Sequence, residues 1–171
     1  MKWFSRVVLA TALAGSSGAI AAEGRTQLDF LEGQWAIHDP SGAEVGRSRI
    51  AVQAPGAMLF EERKVGEDAQ PLWFENSETD KGWVQLFVGA SGLMREFKQT
   101  SAPGVWPMIM TGDVVLRDGT PATFRLTMSR ASNDETRRLL EMSRDKGGSW
   151  SPVFDYTYRR VAQTVEAKRG W

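Results

Sequence analysis

Apolar and polar residues alternate with a period of two through much of this chain, and short clusters of turn-forming residues cut the alternation at close intervals. In Ala122 to Ser129 the apolar Phe124, Leu126 and Met128 alternate with Thr123, Arg125 and Thr127. In Arg138 to Ser143, Leu140 and Met142 share one face while Glu141 and Ser143 share the other. The last such run sets Phe154, Tyr156, Tyr158 and Arg160 on one side, with Asp155, Thr157 and Arg159 opposite. A period of two is the mark of a strand with one buried face. Turn signals such as Asp39-Pro40-Ser41-Gly42, Pro55-Gly56, Asp80-Lys81-Gly82, Asp118-Gly119 and Lys146-Gly147-Gly148 recur along the chain. Connections this short predict sequential antiparallel neighbours. The pattern therefore predicts an all-β domain of eight to ten strands that curls into a barrel, since an open sheet of that size leaves two unpaired edges.

Three stretches depart from the alternation. At the start, Lys2 and Arg6 precede a short apolar run, Val7 to Ala14, and the small residues Ala19 and Ala21 follow it. That order predicts a signal peptide over 1–21, with one barrel domain over 22–162 and a polar tail over 163–171. The apolar run is well short of the roughly 20 residues that cross a bilayer, so no transmembrane segment is expected. Leu28 to Leu31 reads as a short helical turn that leads through Gly33 into the first strand at Trp35. Val105 to Met110 carries a heavy apolar load beside Pro103 and Pro107. It reads either as the start of a strand that caps the core or as a mouth over a cavity.

Composition narrows the function classes. Without Lys2 and Arg6, 19 basic residues face 21 acidic ones, a net charge of −2. A nearly neutral surface argues against nucleic acid or an anionic membrane as the main partner. Cysteine is absent, which removes thiol nucleophiles, thiolate zinc sites and disulfides, and an exported protein of this kind must rely on packing alone. His38 is the only histidine and lies on the outward parity beside the Asp39-Pro40 turn. A histidine-rich metal site and a Ser–His–Asp hydrolase are thereby disfavoured, and neither a metal nor a cofactor is expected.

Two motifs carry a resemblance. Gly33-Gln34-Trp35 follows a helical turn at the start of the first strand, and it resembles the opening of lipocalin and wider calycin barrels. In those barrels the tryptophan closes the base and an arginine of the last strand lies over its ring; Arg160 is the residue in that position here. More closely, Phe30-Leu31-Glu32-Gly33-Gln34-Trp35 and Ser143-Arg144-Asp145-Lys146-Gly147-Gly148-Ser149-Trp150 resemble the two ends of a bacterial family of unknown function with a calycin-like barrel. The resemblance implies an up-and-down barrel and no particular ligand. It gives structural places to Gly33, Trp35, Arg160, Asp145 and Trp150. The second motif also has the form of an Asp-box, a hairpin device in which Ser143 and Asp145 bond turn amides.

Candidate chemistry is sparse. If Leu93 and Phe97 face inward, so does Arg95, which then needs a partner or an anionic ligand, and Glu75 is the candidate partner. The other reading turns Met94 inward and leaves Arg95 in solvent, or carries the Arg95 head out to the rim. Glu61 and Glu62 fall on opposite faces of one strand and so do not form an acid–base pair. Aromatic residues beyond those assigned to closure include Trp73, Trp83 and Trp106. The leading expectation is an exported, periplasmic protein that holds a small apolar or amphipathic molecule near Trp73, Glu75, Arg95, Trp106, Tyr156 and Tyr158. The competing expectations are an isomerase or hydrolase on the same barrel, using Glu75 or Glu141 with an arginine, and a filled-barrel interaction module near Trp106.

Overall fold

The computed structural model describes residues 27–66, 72–79, 81–88 and 94–162, and the side chains of 72–78 are outside that description. The expected signal peptide (1–21) and polar tail (163–171) lie outside the described residues. Ten strands follow one 3₁₀ turn, Asp29–Leu31. They are β1 (Gly33–His38), β2 (Glu44–Ala54), β3 (Met58–Val65), β4 (Leu72–Thr79) and β5 (Gly82–Val88). β6 (Met94–Gln99), β7 (Met108–Val115), β8 (Pro121–Arg130), β9 (Glu135–Ser143) and β10 (Ser151–Arg160) complete the set. Each strand pairs antiparallel with its sequence neighbours, and β1 pairs with β10, so the curled sheet closes in up-and-down order. The β6–β7 ladder is the thinnest seam, with only Lys98↔Thr111 and Gln99↔Met110 in register. The two strands still run close there, because a Cβ on Gly112 would come within 2.1 Å of the Glu96 carbonyl oxygen.

The period of two becomes the inside and outside of this cylinder. Ile37, Ile50, Leu59, Phe97, Met110, Phe124, Leu126 and Leu140 are buried within it. The outer wall carries cross-strand ion pairs: Arg125–Glu141 at 2.9 Å, Arg137–Asp155 at 2.6 Å and Arg159–Glu135 at 3.2 Å. A barrel that crosses a bilayer shows the reverse arrangement, with an apolar outer band. No helix among the described residues is long and apolar enough to cross a membrane.

One end of the cylinder is plugged. Leu28, Leu31 and Trp35 are buried there, and Trp35 Nε1 donates to the Leu31 carbonyl at 2.8 Å. The Arg160 guanidinium lies 4.3 Å from the Trp35 ring centroid. It also donates to the carbonyls of Glu32, Phe30 and Asn133. One side chain therefore caps the exposed carbonyls of the 3₁₀ turn and covers the indole. Gly33 leaves room for it: its φ is +130°, and a Cβ at that position would meet Arg160 Nη1 at 2.7 Å. The 100–107 connection joins the plug through Gln27, which donates to the Val105 carbonyl at 3.0 Å and accepts from the Gly104 amide at 3.1 Å. Trp106 packs edge-on against Phe30, with centroids 5.7 Å apart. Of the two readings of Val105 to Met110, the structure adopts the core cap: Met108 and Met110 are fully buried.

At the other end, the β9–β10 hairpin is held by its own side chains. Asp145 accepts from the Ser149 amide at 2.8 Å and from the hydroxyls of Ser143 and Ser149 at 2.7 Å each, while the Gly147 amide donates to Ser143 Oγ at 2.7 Å. Those bonds hold the Asp145 carboxyl down at about 2, the Ser149 hydroxyl contributing most. Trp150 lies on the outer wall beneath the Arg125 guanidinium, 4.1 Å from its ring centroid.

Candidate ligand-binding cavity

Between the plug and the end that carries the β9–β10 hairpin, the described strands leave part of the interior unfilled. A cavity of about 200 Å³ remains, bordered by Phe87, Phe97, Leu126, Leu140 and Phe154, with Val153 at the start of β10. Gln85, Arg63, Arg95 and Arg138 complete its wall. It lies toward the ends of β3 and β5 and the starts of β6 and β10, away from Trp35. Small-molecule sites commonly combine such an apolar wall with a few polar groups.

The polar side of the cavity is a connected network. Arg138 Nη1 donates to Glu61 Oε2 at 2.5 Å, and Ser48 Oγ donates to Glu61 Oε1 at 2.7 Å. All three residues are buried. Arg63 Nη1 donates to the Tyr158 hydroxyl at 3.2 Å, and the Arg138 guanidinium covers the Tyr158 ring at 4.2 Å. Burial pushes the Tyr158 phenol up, against the pull of Arg63 and Arg138. Burial alone would lower the Arg138 guanidinium, but Glu61 and then Tyr158 outweigh it and hold the group above its ordinary value. Tyr158 thus stays a neutral phenol and Arg138 a cation. The Nε atom of Arg138 is buried with no hydrogen-bond partner among the described residues.

Arg95 is different. It is half-buried on the inward parity of β6 and borders the cavity, while Met94 stands exposed on the outer face, so Met94 does not face inward. Its guanidinium lies 4.7 Å from the Phe124 ring centroid, and burial lowers its pKa.

The structure distributes the other expected site residues unevenly. Tyr158 lies in the buried network beside the cavity, and Tyr156 stacks on the wall residue Phe154 with centroids 4.7 Å apart. Trp106 sits at the plugged end and takes no part in the cavity wall, because the 100–107 connection folds onto Phe30. The side chains of Trp73 and Glu75 lie outside the described residues. In the backbone ladder Glu75 is opposite Phe60 and Leu86, whereas Arg95 is opposite Phe87. Glu75 and Arg95 therefore occupy alternate parities of the sheet. Glu141 is on the outer wall, in its ion pair with Arg125. His38 pairs with Thr157 and Glu44 in the ladder and does not border the cavity.

Sequence reading missed Glu61, Arg63 and Arg138. A signal was present: Glu61 and Arg63 share the parity of Leu59, and Arg138 that of Leu140. Charged residues at such positions read as interruptions of an apolar face until the partner strand supplies the counter-charge. Among the described residues, no three histidine or acidic side chains gather into a metal-binding group. No family model matches this chain, and the comparison with characterised proteins found no match either.

Proposed function

We propose that this chain is an exported, calycin-like barrel that binds one small amphipathic molecule in its interior. The observation that carries the reading is the cavity itself, about 200 Å³ of space with an aromatic and aliphatic wall on one side and a hydrogen-bonded polar network on the other. Barrels near this size either fill with side chains or hold one small ligand. A space of that size suits a medium-chain or single-ring molecule better than a long lipid. The calycin assignment rests on the G-x-W opening, the up-and-down order and the Arg160–Trp35 contact. The exported location rests on the composition of residues 1–21.

An enzyme on the same scaffold needs an interior carboxylate free to move a proton. Glu61 is the buried carboxylate of the described residues, and both of its oxygens are engaged, by Arg138 and by Ser48. That favours binding over catalysis. Native mass spectrometry of the protein purified from the periplasm of its own host tests the reading. One bound small molecule, lost on collisional activation, is the expected result. A clean unliganded mass, together with unchanged tryptophan fluorescence on adding small carboxylates or alcohols, would overturn it.

A further inference from the structure

The charges around the cavity set the sign of what it attracts. Glu61 is the one buried carboxylate among the described residues, and its two oxygens are already taken. Arg95 has no carboxylate and no hydrogen-bond acceptor among the described residues; its one contact of this kind is the face of Phe124. In the ladder its neighbour is Phe87 on β5, then Phe74 on β4, and the row reaches a carboxylate only at Glu61 on β3, whose oxygens are engaged by Arg138 and Ser48. The second unmet donor is the buried Nε of Arg138, also on a residue of the cavity wall. A buried donor with no acceptor costs free energy, and a partly desolvated guanidinium favours an anion over water.

We infer that the cavity takes a small organic anion, a monocarboxylate whose apolar body lies against Phe97, Leu126 and Leu140 and whose head is read by Arg95. The inference rests on the binding function proposed above and goes further by naming the chemical class. Bare inorganic anions fit poorly, because most of the wall is carbon and would be left against solvent. Long-chain acids fit poorly for want of volume.

Isothermal titration of the purified protein with octanoate and benzoate, against 1-octanol and benzyl alcohol, separates the two claims. The carboxylates are expected to bind about tenfold or more tightly than the matched alcohols, the size of one charge-assisted hydrogen bond. Arg95→Gln should remove most of that preference, and an unchanged far-ultraviolet circular dichroism spectrum shows that the variant is folded. Arg95→Lys should restore part of it. Alcohols that bind as tightly as acids, with no effect of Arg95→Gln, would overturn the anion inference and leave the binding function standing. Inorganic phosphate that displaces octanoate at equal concentration would likewise overturn it, since the apolar body would then contribute nothing. No binding of any of the four probes would overturn both.

Discussion

Trp35 is where the first and last strands meet. Its indole is fully buried, its N–H is bonded to Leu31, and the Arg160 guanidinium covers it. Trp35→Ala should lower stability by about 3–5 kcal/mol, as truncation of large buried aromatics does, and urea unfolding measures it. A change below about 1 kcal/mol would mean that the plug contributes little. Glu61 offers a second test at this scale. Glu61→Gln leaves Arg138 buried without its counter-charge and should cost about 3–5 kcal/mol. Replacing Glu61 and Arg138 together with apolar residues of similar size should cost much less. A double loss as large as the sum of the losses for Glu61 and Arg138 changed singly would show that the pair does not act as a unit. The Trp35–Arg160 contact was expected from the resemblance of the Gly33-Gln34-Trp35 opening to calycin barrels, and parity only picked out Arg160, two positions beyond Tyr158 on the same face. The Glu61–Arg138 pair was not readable, since its partners lie 77 residues apart and neither strand alone predicts the other's charge.

Among the elements, strands were the most legible. Ala122 to Ser129 alternates without exception, and β8 buries Ala122, Phe124, Leu126 and Met128 as that alternation requires. Legibility fell where a ladder shifts register. β10 carries an irregularity between Pro152 and Phe154, which leaves Val153 exposed at the cavity rim instead of within a regular outer row. The hairpin from Ser143 to Trp150 makes a prediction about acid. With the Asp145 carboxyl held at about 2, below its ordinary 3.8, the carboxylate is the form that favours the native state. Its contribution is fully present above about pH 4 and is lost as the pH falls through about 2. Thermal unfolding of the protein and of Asp145→Asn between pH 2 and 6 should therefore converge toward the acid end. Parallel curves across that range would show that the hairpin bonds do not favour the charged form.

On the scale of the whole molecule, closure and hollowness have different origins. Closure follows from short turns and one buried face per strand, both visible in the sequence. Hollowness does not: Phe87, Phe97, Leu126 and Leu140 read as ordinary core residues, and only their three-dimensional spacing leaves a space between them. That is why Arg95 could be singled out while Trp106, equally conspicuous in sequence, belongs to the plug. Closure itself predicts that amides of β1 facing β10 resist hydrogen exchange as strongly as those of β8 facing β9. Fast exchange along β1–β10 would indicate a sheet with a free edge.

The most direct test of a hollow, ligand-binding barrel is a methyl and amide NMR titration of the protein with octanoate. A hollow barrel gives saturable shifts concentrated on Phe87, Arg95, Phe97, Leu126, Leu140 and Phe154, with the plug around Trp35 and Trp106 unmoved. Shifts centred on Trp106, or spread thinly over the outer wall, would contradict it.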